Sequence, residues 1–217
     1  HVPETSEDDR PEAMLYLLRH GQTDWNIEPA RCQGWIDVPL NEAGRAQARL
    51  QARQFADHEI SRILTSHLRR ARETAEIIAD ELATADTRID VTPDERLAET
   101  RRGQWEGRTF AEIMRREPGA WRTYREHPEM FRFPGGESLA EQQARVLAAL
   151  RDAARGTGNA LLVTHGGCIR LARAMLEHRG IQSFHQIAVP NGDVLTIPCA
   201  RLAPRIEAFL KIRETER

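Results

Sequence analysis

The chain has 217 residues, 40% of them hydrophobic and 29% charged, with a formal net charge of -2. That size and balance fit one globular α/β domain and leave no basic excess with which to bind nucleic acid or a membrane surface. No apolar run approaches a membrane span, and the three cysteines, Cys32, Cys168 and Cys199, form no C-x-x-C pair and no metal-ligand spacing, which points to a reducing, cytoplasmic setting.

Residues 1–13 are acidic and Pro-containing and read as a polar extension, so the domain is expected over 14–217. Met14 to Leu18 is a short apolar run with the length of a buried strand, and it delivers Arg19-His20-Gly21 into a polar loop. Asn41 caps a helix expected from Glu42 to about Ala56, with Ala43, Ala46, Leu50 and Phe55 as its buried side. Ile60 to Thr65 reads as a second strand. Ser66 then caps a helix from His67 to about Leu82, whose apolar stripe is Leu68, Ala71, Ala75, Ile78 and Ala79. Arg69 and Arg70 fall in its first turn, where cations oppose the helix dipole; that placement suggests an anion site, though taken alone a solvated arginine pair is the better reading.

Arg88 to Val91 is expected as a third short strand closed by Pro93, followed by a charged loop through Glu99, Arg101, Arg102, Trp105 and Glu106. Residues 108–134, interrupted at Pro118-Gly119, read as two short helices and an irregular stretch inserted over the sheet as a lid. A helix is expected from Leu139 to Ala154. Ala160 to Thr164 is the most apolar run in the chain and must be a central strand. It ends at His165-Gly166-Gly167, with a helix from Cys168 to about His178. Val194 to Ile197 and Arg201 to Ile206 are expected as terminal strands at an antiparallel edge. The whole reads as a three-layer α/β/α sandwich around a mostly parallel sheet.

Two strands that each end in His-Gly place two imidazoles at the carboxyl edge of one sheet, where such folds bind ligands. Taken in order, these segments resemble the histidine phosphatase superfamily, the group that includes cofactor-dependent phosphoglycerate mutases. The matching segments are Arg19-His20-Gly21 with Thr23 and Asn26, Gly34-x-x-Asp37-x-Pro39-Leu40-Asn41, Ser66-x-Leu68-x-Arg70-Ala71, Leu97-x-Glu99 with Gly103-x-Trp105-Glu106-Gly107, Gly135-Gly136-Glu137-Ser138 and Val163-x-His165-Gly166-Gly167.

The resemblance implies a phosphomonoester hydrolase for a small phosphorylated metabolite, working through a phosphohistidine at His20. Arg19, Arg70, Asn26 and a protonated His165 would hold the phosphate, with Thr23 and Gly166 in the binding loop. Glu99 would be the general acid and then the base for water. Neither a metal nor another cofactor is expected, and a homodimer is left open. Arg102 stands where relatives often carry an aromatic or aliphatic residue; it either adds charge beside the leaving group or is solvated, and solvation is the expected case.

The alternative is a mutase of the phosphoglycerate type. The glycolytic mutases carry a longer, Lys- and Tyr-containing insertion between the glycines corresponding to Gly107 and Gly135. Only 27 residues without a lysine stand there in this chain, which favours hydrolysis. A catalytically silent phosphate-binding protein is the third reading, disfavoured because no site residue is missing.

Overall fold

The computed structural model describes residues 11–215; most of the expected N-terminal extension, residues 1–10, lies outside them. Five strands form one sheet in the order β3-β2-β4-β1-β5. They are β1 (Met14–Arg19), β2 (Ile60–Thr65), β3 (Val91–Pro93), β4 (Asn159–Thr164) and β5 (Val194–Pro198). The first four run parallel, and β5 pairs antiparallel with β1 at the edge.

Alternation along the strands divides the core into two halves. Leu15, Leu17, Ala160 and Leu162 face one side, and Tyr16, Leu18, Leu161 and Val163 the other. The first side is covered by α5 (Leu139–Ala154), α6 (Gly166–Leu176) and α7 (Cys199–Thr215), the second by α1 (Glu42–Phe55) and α2 (Arg69–Leu82). These are the three expected layers. Leu162 is fully buried in the central strand, so truncation to alanine there should cost about 2–5 kcal/mol.

Parallel strands with their helices outside place all four carboxyl ends on one edge. Hydrogen bonds extend the pairing just past the strands, with His20 N donating to Thr164 O at 3.0 Å, Ser66 N to Val163 O at 2.9 Å and Asp94 N to Thr65 O at 2.8 Å. The segments after β1, β2, β3 and β4 are therefore held side by side before any side chain contributes.

Residues 108–134 contain α3 (Phe110–Arg116) and α4 (Pro118–Glu126). They pack through a third apolar cluster centred on Trp105, which is fully buried and lies 5.2–6.0 Å, ring to ring, from Trp121, Tyr124, Phe131 and Phe133.

Several expected boundaries move. Residues 201–206 are part of α7 rather than a strand, because Cys199, Leu202 and Ile206 recur at helical spacing and all three are buried against the first core half. That burial outweighs Pro204 inside the helix. β3 begins at Val91 rather than Arg88, and Pro93 is tolerated because β3 is an edge strand. The buried side of α1 is Gly44, Ala48, Ala52 and Phe55, while Leu50 is exposed. A Cβ at Gly44 would collide with the Gln22 backbone, so the approach of the β1 loop sets which face of α1 turns inward. Helix α2 starts at Arg69, with Ser66 Oγ accepting from Leu68 N at 3.2 Å.

Candidate active site

The four parallel strand ends converge on one pocket of about 360 Å³ whose wall includes Arg19, His20, Asn26, Arg70, Glu99 and Gly166. His20 follows β1 and is 3% exposed. Its Nδ1 lies 2.7 Å from the carbonyl of Gly21. A carbonyl can only accept, so Nδ1 carries the proton and the lone pair is left on Nε2. Burial, followed by the charges of Arg70 and Arg19, holds the imidazole neutral, with its pKa well below the usual value.

His165, at the N-cap of α6, is fully buried with its ring centroid 5.1 Å from that of His20. Its Nε2 is 2.8 Å from Ser66 Oγ, and its Nδ1 is buried without a partner. Ser66 Oγ accepts from Leu68 N, and among the described residues His165 Nε2 is the one acceptor offered to its proton, so the hydroxyl donates to Nε2 and Nδ1 is left as an N–H donor. Burial, Arg70 and His20 hold this ring neutral as well. In this tautomer the neutral ring can donate from Nδ1; the protonated form is expected with phosphate bound.

Arg70 projects from the first turn of α2 and is 1% exposed. It donates to the carbonyls of Gly34 at 2.7 Å and Ile36 at 3.0 Å, while its Nε is buried and unpartnered. Burial lowers its pKa to about 10 against the opposing pull of Glu99 and Asp37. Its neighbour Arg69 turns outward to pair with Glu73 at 2.5 Å. Arg19 donates to Val189 O at 2.6 Å and also has a buried, unpartnered Nε.

Asn26 accepts Thr23 N at 2.9 Å on Oδ1, which leaves its amide N–H groups for the pocket. Thr23 itself does not reach the wall. It is buried below the loop with its hydroxyl turned to Gln33 Oε1 at 2.9 Å, so its place is in ordering the loop.

Glu99 follows β3. One carboxylate oxygen accepts Thr100 N at 2.9 Å and Gln142 Nε2 at 3.3 Å, and the other accepts Gly167 N at 3.4 Å in the first turn of α6. Helix α6 begins at Gly166 rather than Cys168, and a Cβ at Gly167 would run into the Glu99 carboxylate. Burial would raise this carboxyl, but Arg102, the Thr100 N–H, Arg70 and Arg170 together bring it to about 2, so it is ionised.

Arg102 is the main correction to the expected site. It is not a solvated charge: it lines the pocket, and its Nε is buried without a partner. Arg170 and Gln142 went unnoticed in the sequence. Arg170 lies four residues after Gly166, on the same helical face, and Gln142 occupies the i+3 position of the apolar stripe that starts at Leu139. A polar residue in such a stripe is the informative signal. Glu106, Glu137 and Ser138 hold backbone: Glu106 accepts from Trp35 N and Arg102 N, Glu137 binds Arg145 and Arg101 N, and Ser138 caps α5.

Arg19 and Arg70, each with a buried, unpartnered Nε, share the pocket wall with the neutral His20, while His165 packs against His20 and is not part of that wall; two guanidinium groups beside an imidazole lone pair suit an oxyanion next to a nucleophile. The family model of the histidine phosphatase superfamily (branch 1) matches residues 15–210. The chain belongs to that superfamily.

This histidine phosphatase is 33% identical over 203 residues to phosphoserine phosphatase 1 of Hydrogenobacter thermophilus, covering 93% of this chain and 92% of the relative. It is 36% identical over 197 residues to phosphoglycerate mutase-like protein 4 of Arabidopsis thaliana, covering 85% and 83%. Among solved structures it resembles a mycobacterial glucosyl-3-phosphoglycerate phosphatase with a TM-score of 0.74 at 30% identity, over 86% of this chain and 90% of that one.

Proposed function

We propose that this phosphatase of the histidine phosphatase superfamily hydrolyses a small phosphorylated metabolite through a phosphohistidine at His20. The observation that carries the reading is that Arg19 and Arg70, each with a buried, unpartnered Nε, share one pocket wall with His20, against whose ring the His165 ring packs with its own Nδ1 unpartnered. Buried donors of this kind cost stability unless something accepts from them, and phosphate oxygens supply the acceptors.

In the first step His20 Nε2 attacks phosphorus in line with the leaving alcohol. Arg19, Arg70, Asn26 and His165 hold the equatorial oxygens. Glu99 gives the leaving oxygen its proton. Since the carboxyl is ionised, the proton enters with the substrate: a phosphate monoester has its second pKa near about 6 and can bring it. The bound phosphate also offsets the Arg70 and Arg102 charges that hold Glu99 down. In the second step water attacks the phosphohistidine and Glu99 takes a proton from it. The positive charge for both steps comes from guanidinium groups, so activity should survive a chelator.

Residues 108–134 act as a lid in this reading, with Phe110, Trp121, Tyr124 and Arg125 contributing to the pocket wall. A cytoplasmic setting is supported by three free, buried cysteines. Among the described residues no helix is long and apolar enough to cross a membrane.

Mutase-type transfer is the second reading, favoured by the Arabidopsis relative named for it. Both use the same centre and differ in whether water intercepts the phosphohistidine. Free phosphate release from a panel of phosphorylated metabolites, measured beside interconversion of 2- and 3-phosphoglycerate, separates them. Hydrolysis predicts release; interconversion without release would replace it with the mutase.

A further inference from the structure

The proposed hydrolysis uses Arg19, Arg70, His20, His165 and Glu99, yet the same pocket carries a second set of cations. At about 30 Å³ per water, its volume of about 360 Å³ equals roughly a dozen waters, far more than one phosphoryl group fills. Its wall holds six arginines and one carboxylate, an excess of five positive charges with the histidines neutral. Among the described residues none of the six lies within 4.0 Å of a carboxylate oxygen. A phosphate monoester that brings one proton offsets one of the five, and four remain.

The phosphate seat leaves over Arg31, Arg102, Arg125 and Arg170; Arg31 is turned to the Gly107 carbonyl at 2.8 Å, and the other three are each fixed in orientation. The Arg102 guanidinium lies 5.5 Å from the Phe133 ring centre with Nη1 3.8 Å from Cys32 Sγ, a weak acceptor, and its Nε has no partner. Arg170 donates through Nε to Ile187 O at 2.8 Å and lies over Phe184 at 5.4 Å, so its outer nitrogens remain for a ligand. Arg125 Nη1 is 3.1 Å from His185 Nδ1, and His185 Nε2 is 2.7 Å from Tyr124 O. The carbonyl requires the proton on Nε2, so Nδ1 accepts from Arg125 and steers it. Burial lowers His185 to about 4, which keeps it a neutral acceptor at physiological pH.

These arginines come from the loop after β3, from α4 and from α6. Guanidinium groups held apart from carboxylates and converging on one cavity offer planar donor forks that an oxyanion matches. We infer that Arg102, Arg125 and Arg170 form a second anion seat, and that the alcohol part of the substrate carries its own anionic group, a carboxylate or a second phosphate, held there during transfer. Trp25, Phe110 and Trp121 on the same wall cover the carbon body between the two charged ends. This rests on the proposed hydrolysis and adds the class of leaving group to it.

The test is made on His20→Ala protein, which keeps all six arginines and cannot form the phosphohistidine. Calorimetric affinities are measured at fixed ionic strength for three three-carbon phosphates: glycerol 3-phosphate, with an uncharged far end; 3-phosphoglycerate, with a carboxylate; and propane-1,3-diol bisphosphate, with a second phosphate. The seat predicts at least about tenfold tighter binding of one or both anionic compounds than of glycerol 3-phosphate, and the tighter of the two names the anion.

Arg125→Gln, at an exposed position that should leave folding intact, and Arg102→Met should each cut that preference severalfold, more than they weaken glycerol 3-phosphate. Equal affinities for all three compounds, or a preference untouched by both substitutions, would overturn the inference. Phosphate release by the wild-type protein is read separately. A preference without release keeps the seat and removes the hydrolysis; release without a preference does the reverse.

Discussion

The Ser66 hydroxyl lies 2.8 Å from His165 Nε2 and accepts the Leu68 N–H at 3.2 Å, which makes it the group that selects the tautomer of the second histidine. Without it nothing fixes the proton on Nδ1, the nitrogen that faces no partner. Ser66→Ala should therefore weaken inhibition by inorganic phosphate and lower kcat/KM by roughly 5–30-fold, the range of one or two kcal/mol. Nitrogen NMR of the imidazole would follow the tautomer directly. A variant that keeps both the tautomer and phosphate affinity would remove Ser66 from the account.

Gln142 is the corresponding positioning residue for Glu99. Its Nε2 donates to Glu99 Oε1 at 3.3 Å, and its own Oε1 accepts from Thr100 Oγ1 at 2.5 Å. A donor to the ionised carboxylate lowers its pKa, so Gln142→Met should raise it. The falling, basic limb of the kcat profile should move to higher pH in this variant, alongside a loss of rate. A lower rate with an unmoved limb would make Gln142 a packing residue only.

Glu99 is tested through the leaving group. An alkoxide needs a proton as it departs, whereas p-nitrophenolate leaves without one. In single-turnover formation of phosphohistidine, Glu99→Gln should slow an alkyl phosphate by about 10²–10⁴-fold, the range of general acid catalysis, and p-nitrophenyl phosphate far less. Wild-type transfer from the alkyl substrate should also fall as pH rises through the acid's apparent pKa in the complex, and the fall should flatten in the variant. Glu106→Gln is the control, since its Oε1 accepts from the backbone N–H groups of Trp35 and Arg102. Leaving-group dependence in Glu106→Gln alone would move the acid there.

Stability without phosphate should fall as the solution is acidified. His20 and His165 both have pKa values held well below the usual histidine value by burial first and then Arg70. The unfolded chain, with imidazoles near about 6.5, therefore binds more protons than the folded one as pH drops below that value. Their stabilising contribution is complete above about 6.5 and is lost below it. Glu99, held at about 2, adds a second loss only below the unfolded carboxylate value of about 4.3. Chemical denaturation between pH 7.5 and 5 should show the first slope, and His20→Gln should reduce it. A slope unchanged in that variant would mean that His20 takes up its proton while folded.

The site was legible in the sequence wherever one position settled the chemistry. Strand ends deliver His20 and His165 whatever the details of packing, and the choice of Arg70 over Arg69 came with the resemblance of the Ser66-x-Leu68-x-Arg70-Ala71 segment. What was hidden depended on contacts across the chain. The burial of Arg102 is set by Phe133 and Cys32, residues 31 and 70 positions away. Glu99 is ionised because Arg102, the Thr100 N–H, Arg70 and Arg170, from its own loop, α2 and α6, together outweigh its burial. The same limit governs the fold: α2 and α5 announce themselves by apolar stripes, whereas the 199–215 segment reads as helix only once the first core half exists for Leu202 and Ile206 to enter.

The central claim is that His20 carries the phosphoryl group, and rapid acid-free quenching of the wild-type protein with a labelled phosphomonoester tests it most directly. The account predicts label on the protein within a single turnover, stable to base and released by acid as expected of a phosphohistidine, absent in folded His20→Ala and decaying to free phosphate in the wild type. Label that persists in folded His20→Ala, or phosphate released with no labelled protein formed at any time, would contradict it.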